Sequence, residues 1–166
     1  MIILGFDPGI AIVGFGVIKK QGNLVRPLQY GSINTKAGLE TGIRLKQIYD
    51  ATKEIINTYK PDAVSIEKLY FNKNVTTAMT VGQARGILML AAVEANLPIY
   101  EYTPLQVKQA LVGYGRAEKK QIQEMVKMYL NLKEIPKPDD VADALAIAIC
   151  HAHSVKMTNI IKENLL

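Results

Sequence analysis

MIILGFDPG, residues 1–9, decides how the rest of the chain is read. Ile2–Phe6 is a short run of apolar and small residues closed by a Pro-Gly turn signal, the pattern of a strand buried on both faces. Asp7 stands at its end. A carboxylate at the edge of a core is costly to bury unless a cation or hydrogen bonds meet it, and Pro8-Gly9 turns the chain away so that Asp7 faces out of the sheet's edge. A turn-capping Asp is the plain alternative. What separates the two is whether other carboxylates converge on Asp7.

Working outward, Ile10–Lys20 and Leu24–Thr35 are rich in β-branched and aromatic residues and flank Gln21-Gly22-Asn23, a hairpin signal. With Ile2–Phe6 they predict a three-stranded antiparallel start. Gly14 and Gly16 share one face of the second strand, either for packing or for close approach of a ligand. Leu39–Tyr59 repeats apolar residues at three and four (Leu45, Ile48, Thr52, Ile55, Ile56, Tyr59) and predicts a helix covering the core. After Pro61-Asp62, Ala63–Ile66 repeats the opening grammar: a short apolar strand, then Glu67. Coming after a helix, this strand is expected to run parallel to the first and to bring Glu67 to the same edge as Asp7.

Leu69–Val75 reads as a loop in which Tyr70 and Phe71 stand beside Lys73. Exposed rings next to a cation suit stacking on unpaired bases with phosphate contact; the alternative is that the rings fold back on the core. Thr76–Asn96 is a helix of small residues with a ridge at Ala78, Gly82 and Gly86, suited to close packing on the sheet or on a second subunit, and Arg85 beside it is a candidate phosphate ligand. Leu97–Tyr102 predicts a strand. Thr103-Pro104 caps a helix to about Val112, which carries Lys108 and ends at Gly113. Ala117–Leu130 is amphipathic. Lys119 and Lys120 sit in its first turn, where the helix dipole gives cations no benefit, so another interaction is expected to place them. Asp139–Ser154, DDVADALAIAICHAHS, is apolar nearly all round and hence a buried helix. Capping accounts for Asp139, and for Asp140 in part, but not for Asp143 inside the helix. Residues 1–154 read as one domain. Residues 155–166 have no firm pattern and are expected to form a tail or an extra turn, and His151 and His153 read as helix-end residues.

At 166 residues and about half apolar, the chain suits a single domain with a sizeable core. Its start lacks the basic flank and length of a signal peptide, and no apolar run reaches membrane-spanning length. One cysteine, Cys150, cannot close an internal disulfide, which fits a reducing cytoplasm. The net charge of +5 gains meaning from its distribution. Seven Lys or Arg against three acids lie between Lys68 and Lys120, a basic surface suited to a polyanion, although a generic basic surface would look the same.

Asp7, Glu67, Asp140 and Asp143 have no His or Cys companion at equivalent strand or helix ends. An all-oxygen set selects hard cations, Mg²⁺ or Mn²⁺, and without one, crowded carboxylates would raise each other's pKa. Two such ions beside a basic rim point to phosphodiester hydrolysis. The order strand–Asp, hairpin, helix, strand–Glu and late helix with Asp-x-x-Asp resembles the ribonuclease H-like superfamily. GFDPG with GFG, IEKLYFNKN, GQARG, QVKQALVGYGRAEKKQ and DDVADALAIA, in that order from Ile2 to His153, are similar to the RuvC family of Holliday-junction resolvases. The resemblance implies an α/β fold with a mixed sheet and helices on both faces. It further implies a homodimer cutting four-way junction DNA by paired symmetric nicks in recombination and repair, with two Mg²⁺ per site (Mn²⁺ able to substitute) and a branch-migration motor as partner. By motif match it makes Asp7, Glu67, Asp140 and Asp143 the catalytic, metal-binding acids. Asp139 and Asp143 would also share a helix face, but the register favours Asp140. The same match makes Lys108 and Lys119 DNA contacts and puts Tyr70 where relatives carry a wedging Phe. Val13 replaces a common Thr. A nucleotide-hydrolysing relative would need a second domain, for which the chain has no room.

Overall fold

The structure is a computed structural model describing residues 1–68 and 75–163. Its elements are β1 (Ile2–Asp7), β2 (Ile12–Gln21), β3 (Leu24–Asn34), α1 (Thr41–Tyr59), β4 (Ala63–Glu67), α2 (Val75–Glu94), β5 (Ile99–Tyr102), α3 (Pro104–Val112), α4 (Lys119–Tyr129) and α5 (Asp139–Glu163). The strands form one sheet in the order β3-β2-β1-β4-β5. The hairpin pairs antiparallel with β1, whereas β1, β4 and β5 run parallel. This is the mixed ribonuclease H-like sheet.

Strand alternation divides the core. Leu4 and Phe6 of β1, Val13 and Val17 of β2 and Val64 and Ile66 of β4 pack with Ile48 and Ile56 of α1 and Leu88 of α2. On the opposite face Ile3 and Ile18 meet Val107 and Leu111 of α3, Ile122 and Val126 of α4, and Leu145 and Ile149 of α5. Helices therefore cover both faces. The two-residue period that sends Leu4 and Phe6 toward α1 and α2 sends Ile3, Gly5 and Asp7 toward α5, and it does the same for Ala63, Ser65 and Glu67.

The expected strands and helices are all present, with ends moved by at most two residues except at the C-terminal end of α5. Thr103 caps α3 through a reciprocal box with Gln106, Pro104 follows it, and Gly113 closes the helix at φ 85°. α5 runs to Glu163, into the stretch for which a tail or an extra turn was expected. An established helix adds one hydrogen bond per residue and needs no apolar face to continue. His151 is accordingly interior to α5, not at its end. It is fully buried, with its Nδ1 2.7 Å from the Tyr102 hydroxyl and its ring 4.1 Å from that of Tyr100. Burial holds its pKa down at about 4. Among the described residues no helix is long and apolar enough to cross a membrane.

Candidate active site

Three glycines set the distance between α5 and the sheet. A Cβ on Gly5 would overlap the Ala144 carbonyl oxygen, one on Gly14 the Asp140 carbonyl oxygen, and one on Gly16 the Leu145 side chain. The alternation of Gly14 and Gly16 thus serves helix packing, with backbone lying directly on backbone at Gly14 and on the Leu145 side chain at Gly16. Gly14 is also the ladder partner of Asp7. The absence of its side chain lets the first turn of α5 settle over the end of β1 and bring Asp140 toward Asp7.

The parallel ladder supplies the rest. Phe6 pairs with Ile66, so Asp7 and Glu67 follow side by side at the carboxyl edge, on the face that α5 covers. Burial pushes the Asp7 carboxyl up, and the charges of Asp143, Glu67 and Asp140 push it further, to about 8 from an ordinary 3.8; Lys119 opposes them. Glu67 is raised by burial and by Asp143. Asp143 is raised chiefly by burial, against Lys119. Four carboxylates in one electrostatic neighbourhood cannot all ionise cheaply without a compensating cation.

Asp139 behaves differently. It pairs with Lys137 at 3.1 Å and Lys119 at 3.4 Å, and its pKa is lowered, first by Lys137 and then by Lys119. It is turned to lysines, whereas Asp140 acts on Asp7. Lys119 also bonds Asp143 at 3.0 Å, which supplies the reason for a lysine in the first turn of α4. Burial lowers the Lys119 pKa, but hydrogen bonds and charge from Asp143 and Asp139 outweigh it and leave it raised.

Beside the acids lies a cavity of about 210 Å³ between α3, α4 and α5. Glu67, Lys108, Lys119 and Asp143 all line it. Lys120 lines a separate shallow groove with Glu118 and Glu124 and is not brought to this cavity. Arg85, expected as a phosphate ligand, is committed within the protein. Its Nε donates to the Glu67 carbonyl at 3.2 Å and its Nη2 to the Glu101 carboxylate. Arg85 therefore holds the end of β4 against β5. Sequence reasoning missed Glu101 altogether, since an alternating acid in a short strand carries no signal of its own. Tyr70, Phe71 and Lys73 lie outside the described residues.

Among the described residues no three of these groups approach closely enough to make a ready-formed chelating cluster. The donor chemistry nevertheless fits a hard divalent cation: every donor is oxygen, and such a cation would offset both the burial that chiefly raises Asp7 and the repulsion from its neighbours.

A parallel-edged sheet with carboxylates at two strand ends and on the facing helix defines a ribonuclease H-like protein. Comparison narrows this further. The family model described as "Crossover junction endodeoxyribonuclease RuvC" matches residues 3–151. The crossover junction endodeoxyribonuclease RuvC of Brevibacillus brevis is 68% identical over 152 residues, 92% of each chain. That of Halothermothrix orenii is 63% identical over 95% of each. Among solved structures, Thermus thermophilus RuvC in complex with a Holliday junction substrate superposes with a TM-score of 0.91 at 39% identity, covering 95% of this chain and 96% of that one. The chain belongs to the RuvC family of crossover junction endodeoxyribonucleases.

Proposed function

We propose that this protein resolves Holliday junctions in recombination and repair, nicking two opposed strands by metal-dependent phosphodiester hydrolysis. The observation carrying this reading is the convergence of Asp7, Glu67, Asp140 and Asp143 at one sheet edge, where burial and the three neighbouring charges together raise Asp7 to about 8. Membership of the RuvC family supports it, as does the likeness to a relative bound to a Holliday junction.

In this reading Asp7, Glu67, Asp140 and Asp143 would hold two Mg²⁺ ions, with Mn²⁺ able to substitute. Bound there, the ions supply Lewis-acid charge at the scissile phosphate and lower the pKa of a water to near neutrality. The chain's own residues do the rest. Asp7 and Glu67 are fixed by strand pairing, Asp140 and Asp143 by the glycine cradle, and Arg85 steadies the Glu67 backbone. Lys119 leaves part of its pairing with Asp143 to meet a phosphate, and Lys108 meets another across the cavity. Tyr70 is the residue assigned to stacking on bases at the exchange point, and Phe71 and Lys73 are assigned to DNA contact on the sequence alone.

Paired cuts need two sites related by a twofold axis. On α2, Met79, Gln83, Gly86, Leu90 and Val93 form one exposed stripe at three- and four-residue spacing. Ala78 and Gly82 of the expected ridge are half-buried, so Gly86 alone of the three lies on this stripe. Two copies meeting along it supply the dimer. The partnership with a branch-migration motor rests on the family resemblance, and the cytoplasmic location on the single Cys150, which cannot close an internal disulfide. The test is incubation with synthetic four-way, duplex and flap DNA in Mg²⁺ or EDTA. Symmetric nicks confined to the four-way substrate and to Mg²⁺ are expected; equal cutting of duplex, or cutting in EDTA, would refute the reading.

A further inference from the structure

The cavity beside the acids has a composition that phosphate binding does not explain. Its rim is charged, but its walls are Val107, Ile122, Ala146 and Ile147. A site built for phosphate alone would be polar throughout, whereas this hollow of about 210 Å³ is floored by four apolar side chains that are each at most 8% exposed. Such a hollow with charged groups only at its mouth fits a flat ligand with apolar faces and an anionic attachment.

We propose that this cavity is a nucleobase pocket, which takes one unpaired base of the strand being cut, next to the scissile phosphate. The proposal deepens the nuclease reading and rests on it. Glu67 and Asp143 place the scissile phosphate, with Lys119 beside them at 3.0 Å from Asp143, and Lys108, which lines the same cavity, places a neighbouring one. A strand lying across these four groups carries the nucleoside between the two phosphates over the mouth of the hollow. At the exchange point of a junction the base stack is already interrupted, so turning a base out costs less than in duplex. The four wall residues carry no hydrogen-bonding side-chain group, so the pocket reads ring size and apolar face, not the Watson–Crick edge. Selection for junctions then resides partly in the pocket: intact duplex offers no base that can enter it cheaply.

The test uses the wild-type chain and four-way junctions bearing one abasic nucleotide at each position flanking the cut in turn. One position should lower the cleavage rate roughly tenfold, as expected for losing one buried base, with junction affinity little changed. Ala146→Leu, which fills the hollow, should lose a similar factor on the intact junction and lose nothing further on the abasic one, because both changes remove the same contact. 2-Aminopurine at the sensitive position should brighten on binding to wild type and not to Ala146→Leu. Uniform cleavage of all abasic junctions, or multiplicative losses in the combined experiment, overturns the proposal. If Ala146→Leu fails to fold, Val107→Met fills the same hollow from α3. A protein that binds junctions without cutting them would defeat the nuclease reading, and the 2-aminopurine signal would still decide for or against the pocket.

Discussion

Replacing Asp7 with Asn tests the acid cluster through folding, independently of catalysis. The unfolded chain ionises Asp7 near 3.8, and the folded chain near 8. Below about pH 4 both states hold the proton and Asp7 has no effect on stability. Between pH 4 and 8 the unfolded chain releases the proton and the folded chain keeps it, so stability falls as pH rises; above about 8 the loss is complete. At pH 7 the gap spans about three pH units, a ceiling of ~4 kcal/mol at ~1.4 kcal/mol each. Relaxation of the cluster and water entering at its open edge reduce this, and we expect ~2 kcal/mol. In EDTA, then, Asp7→Asn should match wild type at pH 4 and exceed it by ~2 kcal/mol at pH 7 to 8. Urea unfolding followed by circular dichroism across this range measures the difference. Adding Mg²⁺ should restore wild type far more than the variant, and junction cleavage should be lost in the variant while binding is kept. Parallel stability curves from pH 4 to 8, or a less stable variant at pH 8, would refute the reasoning.

Gly14→Ala drives a methyl group into the Asp140 carbonyl; it should cost at least ~1–3 kcal/mol and reduce cleavage, whereas Gly42→Ala, which meets open space in α1, should be neutral or stabilising in the same thermal melts. Lys108→Ala and Lys119→Ala should each reduce the salt dependence of junction binding by about one phosphate, with Lys120→Ala having the smaller effect; equal slopes for all three would remove the lysines from the DNA path. Gly86→Glu on the exposed α2 stripe should sediment as a monomer and nick one strand without its partner, and an unchanged dimer would move the interface elsewhere. Tyr70→Phe should keep junction cleavage and Tyr70→Ala lose ~5- to 150-fold, the value of one stacked base; an unimpaired Ala variant would point to Phe71.

What could be read in the sequence was what is encoded locally. Asp7 and Glu67 each end an apolar strand, and parallel pairing follows from the helix between them, so their meeting at one edge was legible. Asp143 stood out because a carboxylate in an apolar helix has no structural use there. The Asp139/Asp140 doublet was not settled by spacing; in the fold Lys137 and Lys119 pair with Asp139, while Asp140 is among the charges that raise Asp7. Arg85 looked like a free cation because its partner, Glu101, is sixteen residues away and unmarked. The burial of His151 depended on Tyr100 and Tyr102 arriving from another element. Gly14 and Gly16 were visible as a pattern, but whether they faced a ligand or a helix is a matter of tertiary placement.

The glycine cradle also determines which mutations the site can ignore. Two of its acids ride on the sheet and two on α5, and main chain rests on main chain at Gly5 and Gly14. The gauge between the two pairs is therefore set by atoms that every amino acid shares. Drift in side-chain volume elsewhere, for example between Ile48 and Leu88 on the far face, can be absorbed without changing that gauge. A lineage is thus free to retune its core for heat or cold while the chemistry at the edge keeps its dimensions, so long as those glycines remain glycine.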